Sequence, residues 1–236
     1  MPERVLAIIP ARGGSKGIPR KNLVDVGGKP LIAHSIAHAL ACPRIERVVV
    51  STEDEEIAET ARRFGAEVPF MRPVELAGDQ VLDLPVFQHV ARELAERERY
   101  TPELIVQLRP TAPHRKPEWI TQAVDMLAAQ PSAHSLRSVS LVSQHPYRVF
   151  EIDEGGLLAP VMGHRHPQPY VLRRQELPPM YYYNCVIDVT RPSTLFELAS
   201  MTGDRILPYV MDPDDVIDID TPRDLAVARA LFWSAP

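Results

Sequence analysis

A group of basic residues follows directly behind a short apolar run near the start of the chain. The run, residues 5–9, is interpreted as a buried strand because Pro10 would interrupt a helix. The basic residues behind it are Arg12, Lys16, Arg20 and Lys21. They share a glycine-rich loop at the carboxyl end of a strand, where open α/β sheets bind their ligands. The loop therefore predicts a site for phosphate groups.

The distribution of lysine supports this interpretation. Of 26 basic residues only four are lysine, and Lys16, Lys21 and Lys29 all fall within the first 29 positions. A compact ammonium group can move among phosphate oxygens, whereas the guanidinium of arginine is a planar fork. We infer that local chemistry, and not solubility, selects lysine here.

The loop differs from two familiar phosphate-binding motifs. Lys16 is followed by Gly17 instead of Ser or Thr, so the loop is not a Walker P-loop. Gly13, Gly14 and Gly17 do not have the Gly-x-Gly-x-x-Gly spacing, which disfavours a dehydrogenase. A flexible turn without a ligand is the structural alternative.

Two carboxylates near the end of the chain could hold a divalent cation. Residues 216–220 are predicted to form a strand, in which Asp218 and Asp220 would point to the same face. Nucleotide-bound Mg²⁺ takes one or two carboxylates together with phosphate oxygens. Two solvated acids beside a helix start, capped by Thr221, would also fit the pattern. Because the chain also has a predicted phosphate-binding loop, the interpretation as a metal site is favoured over two solvated acids.

The histidines suggest a metal less strongly. His34 and His38 lie one helical turn apart, and His164 and His166 alternate. No acidic residue or cysteine stands at ligand spacing from them, so packing or surface roles are expected.

The overall composition limits the class of protein. The 236 residues suffice for a single α/β domain spanning 1–236, and a net charge of −5 provides no field for a nucleic acid. Two cysteines indicate a reducing compartment, and we expect a cytoplasmic protein. No apolar stretch approaches the length of a membrane helix, so no membrane association is expected.

Alternating strand and helix patterns predict a mostly parallel sheet flanked by helices. Strands are expected at 47–51, 68–70 and 104–108, and helices after Pro30, after Glu53, at 84–98 and at 118–129. The alternation breaks at about 134–183, where a hairpin signal predicts a β-rich excursion. The run Tyr181 to Tyr183 at its end is more typical of strand and interface packing than of a ligand site.

Several segments together resemble the acylneuraminate cytidylyltransferases, also called CMP-sialic acid synthetases. The opening signature is Leu6 to Gly17 with Lys21 and Asn22. Further matches are Gly28 to Leu31, Arg72-Pro73, Pro110 to Pro113, Arg174-Gln175, Asn184 and Asp218 to Thr221. The resemblance covers nearly the whole chain. It implies a nucleotide-diphospho-sugar transferase fold of Rossmann-like type, CTP and Mg²⁺ as requirements, a small acidic sugar as substrate, and a homodimer built with the excursion.

The resemblance also implies roles for individual residues. The nucleotide would be bound by Ala11, Arg12, Gly13, Gly14, Ser15, Lys16, Lys21, Asn22 and Arg72. The acceptor would be bound by Arg109, Arg174, Gln175, Asn184 and Asp188. Arg12 and Lys21 would act in catalysis together with the metal ligands Asp218 and Asp220. The implied reaction joins CMP to the anomeric hydroxyl of an α-keto sugar acid and releases pyrophosphate.

The chain departs from the sialic acid enzymes around the acceptor. The first residue of their typical Gln-Pro-Thr-Ser-Pro segment is replaced in this chain by Arg109. The last residue of their typical Asn-Gly-Ala-Ile-Tyr segment is replaced by Asp188. Both changes alter charge, so the acceptor could be sialic acid, a related nonulosonic acid, an eight-carbon acid, or a small phosphonate or carboxylate. A metal-dependent glycosyltransferase with an Asp-x-Asp motif and a non-catalytic nucleotide sensor are the competing hypotheses.

Overall fold

The structure is a computed structural model and describes residues 4–233. Its strands are β1 (Val5–Pro10), β2 (Asp25–Val26), β3 (Lys29–Pro30), β4 (Arg47–Ser51), β5 (Leu104–Gln107), β6 (Ser135–Leu141), β7 (Phe150–Ile152), β8 (Leu158–Pro160), β9 (Tyr181–Thr190) and β10 (Ile206–Met211). Its helices are α1 (Leu31–Leu40), α2 (Glu55–Arg63), α3 (Asp83–Glu98), α4 (Pro117–Ala128), α5 (Pro192–Phe196) and α6 (Pro222–Trp233). Within the described residues, no helix is both long and apolar enough to cross a bilayer.

Six strands form the central sheet, in the order β10-β6-β9-β5-β1-β4. β1 pairs in parallel with β4 and β5, and β10 pairs in parallel with β6. Only β9 runs against its neighbours β5 and β6 in this sheet. The prediction of a mostly parallel sheet flanked by helices is confirmed.

The residues of β1 show why both faces of the sheet are covered. Val5, Ala7 and Ile9 belong to the apolar cluster that includes α1, α2 and α4. Leu6 and Ile8 belong to the cluster under α3. All five side chains are fully buried, as expected for a continuous apolar run in a parallel strand.

Two predicted strands are absent from the sheet. Residues 68–70 form no strand; only Glu67 makes an isolated bridge to Val49, and Pro69 has no N–H to extend it. Residues 216–220 are also outside any ladder, although the Ile219 N–H donates to the Thr111 carbonyl at 2.9 Å. Thr111 follows β5, which is already paired on both sides, so no free edge is available.

The boundaries of the β-rich excursion also differ from those predicted. β6 and β9, at its two ends, belong to the central sheet, and only residues between them leave it. The predicted hairpin is present as β7 and β8. The three tyrosines begin β9, so the strand interpretation is confirmed, and interface packing stays a prediction.

Candidate active site

A cavity of about 470 Å³ lies at the carboxyl ends of β1 and β5. Its lining residues are Pro10, Arg12, Ser15, Lys16, Gly17, Lys21, Asn22, Arg72, Leu76, Gly78, Asp79, Val81, Asp83, Val86, Arg109, Pro110, Thr111, Cys185, Asp218 and Asp220. This volume suits a small-molecule ligand. The basic loop and the pair of acids, which the sequence places at opposite ends of the chain, therefore share one cavity.

The glycine-rich loop approaches its neighbours closely. A Cβ on Gly17 would lie 2.6 Å from the Asp220 carbonyl oxygen, and one on Gly13 would lie 2.5 Å from an Asp54 carboxylate oxygen. The Gly13 N–H donates to Glu53 at 2.7 Å. Gly14 has open space around it. Thus Gly13 and Gly17 allow close packing, which a flexible turn would not require.

Buried polar groups fix the shape of the loop. The Asn22 side chain is buried and donates to the Arg12 carbonyl at 2.9 Å. Ala11 is also buried, and its N–H donates to the Ser51 carbonyl at 3.0 Å. Arg72 is buried beside Ser51, with its Nε donating to the hydroxyl at 3.0 Å, and burial lowers the pKa of this arginine.

The basic residues of the loop do not all face the cavity. Arg12 and Lys16 both pair with Asp79, at 2.9 and 2.7 Å. Lys21 faces the cavity as well. Arg20 has a left-handed backbone (φ 54°) and pairs with Asp54 and Glu56. It is not among the lining residues, so the expected group of four cations is reduced to three.

Lys21 connects the loop to the acidic segment. Its Nζ donates to the Ile219 carbonyl at 3.0 Å and to Asp220 Oδ1 at 2.9 Å. Ile219 packs in a small apolar cluster, so the flanking side chains of Asp218 and Asp220 turn to the cavity. Asp218 and Asp220 thus share one face, as expected for a strand, although residues 216–220 form no strand.

The two acids supply two of the oxygen ligands that a divalent cation prefers. Burial raises the pKa of Asp218, and the nearby charge of Asp220 adds to this, although Thr111 and Lys21 oppose it. Two carboxylates with one adjacent ammonium leave negative charge for a cation to balance. Within the described residues, no group of three His, Cys, Asp or Glu side chains is arranged for a metal. A metal held here would need further oxygens, which phosphates can supply.

The expected acceptor residues are divided by the structure. Arg109 lines the cavity, and its Nη2 donates to Asp83 at 2.6 Å. Burial acts to lower the pKa of Arg109, but Asp83 and other neighbouring groups together outweigh it, and the pKa is raised. Asn184 and Asp188 are buried behind the lining. Arg174 and Gln175 lie in the excursion and do not line the cavity.

Asp79 and Asp83 were not expected from the sequence. Each pairs with arginine in the cavity, although Asp79 lies in an irregular segment and Asp83 begins α3. In the sequence, the only sign of these acids was the concentration of positive charge in the loop, which carboxylates can balance. His34 is explained by packing, since its Nε2 lies 2.8 Å from the Val26 carbonyl and its ring contacts Phe232.

Similar proteins are found both by sequence and by structure. Residues 6–199 match the protein family described as cytidylyltransferase. The chain is 34% identical to the CMP-N,N'-diacetyllegionaminic acid synthase of Legionella pneumophila, over 97% of this chain and 96% of the relative. It is 32% identical to the pseudaminic acid cytidylyltransferase of Campylobacter jejuni, over 96% and 95%. A solved CMP:2-keto-3-deoxy-manno-octonic acid synthetase complexed with CTP has a TM-score of 0.72, with 18% identity and 98% of each chain covered. That last similarity concerns the fold.

Proposed function

The chain belongs to the cytidylyltransferase family, and on that premise we propose that it transfers CMP from CTP to an α-keto sugar acid of the nonulosonic class, with release of pyrophosphate. The observation that carries the proposal is the shared cavity, in which Lys21 joins the basic loop to Asp220 across 199 sequence positions. The two relatives described above are named for legionaminic and pseudaminic acids. The acceptor is therefore proposed to be an acid of this kind.

The basic residues are proposed to hold the triphosphate. One acid, Asp79, contacts both Arg12 and Lys16 in the structure, so a single anion can reach both cations. Phosphate oxygens would take the place of this carboxylate when CTP binds. Ser15 and Lys21 line the same cavity. Asn22 and Arg72 are proposed to adjoin the cytidine, with Asn22 also fixing the backbone of Arg12.

In the reaction, the anomeric oxygen of the acid forms a bond to the α-phosphorus as the bond to the bridging oxygen of pyrophosphate breaks. The hydroxyl gives its proton to water, and negative charge grows on the leaving pyrophosphate. Lys21 and Arg12 are proposed to stabilise that charge from fixed positions. Asp218 and Asp220 would hold Mg²⁺, which when bound neutralises phosphate charge and orients the α-phosphate.

The acceptor is proposed to bind at the Arg109 end of the cavity. A guanidinium matches the geometry of a carboxylate, and Asp83 holds Arg109 at this wall. Asn184 and Asp188 would act on the acceptor from behind the wall. Because Arg174 and Gln175 do not line the cavity of their own chain, we propose that they reach an acceptor only from a second copy.

A homodimer built with the excursion is supported by its exposed apolar side chains. Ile152, Leu157 and Leu158 on the hairpin are 74%, 69% and 66% exposed. Side chains of this size seldom cluster on a free surface. Light scattering after size exclusion is expected to give twice the chain mass, and Leu158→Glu is expected to lower it. A cytoplasmic location is retained as part of the proposal, supported by the free thiols of Cys42 and Cys185.

The reaction can be tested directly. The purified chain is incubated with CTP, Mg²⁺ and a panel of nonulosonic, eight-carbon and small acids, and pyrophosphate is measured. Release that depends on CTP and on a nonulosonic acid supports the proposal. Turnover of only a preformed nucleotide sugar would indicate a glycosyltransferase instead. Tight CTP binding without product from any acid would indicate a nucleotide sensor.

A further inference from the structure

The two positions that depart from the sialic acid enzymes are connected in the structure. Arg109 follows β5, and Asp188 lies on β9, which is the neighbouring strand. Tyr183 lies between them: its hydroxyl donates to Asp188 Oδ2, and its side chain is near enough to the Arg109 guanidinium to interact with it electrostatically. Asp188 also lies opposite Gln107, which shares the Asp83 carboxylate with Arg109. The changes at 109 and 188 therefore belong to one structural unit, although the sequence gives no sign that they are linked.

A bulge in β9 makes this unit possible. On β6, Arg137 is paired with Asp188 and Val139 is paired with Tyr183. A step of two residues along β6 therefore corresponds to a step of five residues along β9. The residues between Tyr183 and Asp188 are thereby displaced, and Cys185 adopts a left-handed backbone (φ 61°) where it lines the cavity. Ser138 Oγ accepts from the Ile187 N–H at 2.9 Å and bonds to Asn184 Oδ1. The buried Asn184 thus stabilises the bulge.

Charges of opposite sign alternate along the unit. Arg137 lies with its guanidinium carbon 4.2 Å from the centre of the Tyr183 ring and its Nε 3.5 Å from Asp188 Oδ1. At the other end, Asp83 accepts from Arg109 at 2.6 Å and from Gln107 at 3.0 Å. Burial raises the pKa of Tyr183, and Asp188 adds to the increase, so the phenol keeps its proton. Arg109 is therefore held by Asp83, and the Tyr183 side chain lies near enough to interact with it electrostatically.

Some polar atoms of the unit remain available. Within the part of the chain that the structure describes, buried atoms without a hydrogen-bond partner include Gln107 Oε1 and Arg109 Nε. Buried polar atoms in folded proteins are normally paired, with water or a ligand where protein groups do not suffice. Gln107 ends β5, and Arg109 follows it and lines the cavity. They could pair with acceptor hydroxyl or amide groups, or with water that the acceptor displaces.

We propose that Tyr183 and Asp188 are positioning residues that orient Arg109 towards the acceptor, and that this unit selects among keto sugar acids. The inference rests on the proposed function, because selection is defined by turnover. A tyrosine that only packs between strands would affect stability alone. A positioning tyrosine affects the acceptor, acts through Arg109, and leaves CTP binding unchanged.

The test uses four variants and a matched control. Tyr183→Phe removes one hydroxyl, Arg109→Gln restores the amide of the sialic acid enzymes, and Asp188→Asn removes one charge. The double variant Tyr183→Phe/Arg109→Gln completes a cycle, and Tyr182→Phe on the same strand is the control. Thermal unfolding verifies that each variant folds. Pyrophosphate release is measured with each acid of the panel, and CTP affinity is measured separately.

We expect Tyr183→Phe to lower kcat/KM for the preferred acid about tenfold, the effect of losing one hydrogen bond to a charged group. The ratio of kcat/KM between the preferred acid and the other acids should become smaller, and CTP affinity should be unchanged. In the Arg109→Gln background the same change should have no further effect. Asp188→Asn should resemble Tyr183→Phe, and Tyr182→Phe should resemble the wild type.

Two results would overturn the inference in an active enzyme. One is acceptor selectivity in Tyr183→Phe equal to that of Tyr182→Phe, and the other is a fully additive cycle. If the wild type released no pyrophosphate with any acid, the proposed function would fall, and this inference with it. The two kinds of failure are therefore distinguishable.

Discussion

Replacing Lys21 by alanine tests whether the loop and the acidic segment form one catalytic centre. The Lys21 side chain is only 17% exposed and donates to Asp220 and to the Ile219 carbonyl, so it is held in place before any ligand binds. Lys16, by contrast, is 73% exposed and pairs only with Asp79 among the contacts described. We expect the fixed ammonium to act mainly on the transition state, and the mobile one mainly on binding.

The magnitude follows from these surroundings. Removing one preorganised donor from developing charge costs about 3–4 kcal/mol, which lowers kcat roughly 100- to 1000-fold. In the ground state the triphosphate keeps its contacts with Arg12 and Lys16, so the loss of CTP affinity should be about tenfold, close to the value of one charged hydrogen bond. Lys21→Ala should therefore lower kcat at least ten times more than it weakens CTP binding.

The neighbouring residue provides the control for this experiment. Arg20→Ala removes a cation of the same loop, but one that pairs with Asp54 and Glu56 away from the cavity. It should change kcat by less than about twofold and stability by about 1 kcal/mol or less, as is usual for exposed ion pairs. Pyrophosphate release gives kcat, and calorimetric titration gives CTP affinity. A pure binding defect in Lys21→Ala, or equal losses in the two variants, would refute the reasoning.

Three further predictions concern the same cavity. Gly17→Ala should destabilise the fold by about 1–3 kcal/mol in denaturant unfolding, because its Cβ meets the Asp220 carbonyl at 2.6 Å, whereas Gly14→Ala, which has open space, should unfold like the wild type; equal midpoints would contradict this. Asp220→Ala should abolish Mg²⁺-dependent turnover while the circular dichroism spectrum stays unchanged, and undiminished turnover would exclude a metal role. Because burial raises the pKa of Asp218, its carboxylate should take up a proton at a higher pH than an ordinary aspartate as the pH falls. Activity should therefore decline on the acid side, and added Mg²⁺ should shift this decline to lower pH because metal and proton compete; an acid limb independent of Mg²⁺ would count against this.

Much of the fold could be predicted from local patterns. The apolar run of β1 and the helical patterns at 84–98 and 118–129 depend on near neighbours in the chain, and the structure contains each of them as β1, α3 and α4. The predictions failed where a strand needed a partner. Residues 216–220 have a strand-like pattern, but the sheet has no free edge beside β5. A sequence pattern indicates that a segment favours the strand conformation. The segment joins a sheet only where a neighbouring strand has unpaired backbone groups.

The candidate site shows the same division. The sequence by itself determined the chemistry available: a glycine-rich loop with lysines, an Asp-x-Asp segment and an arginine where related enzymes have an amide. Only the tertiary structure decided that Lys21 meets Asp220, that Arg20 turns away, and that Tyr183 binds Asp188. The physical reason is that side-chain direction depends on backbone conformation and on contacts between distant segments. A left-handed residue in the loop and a bulge in β9 set those directions here, and neither follows from residue types alone.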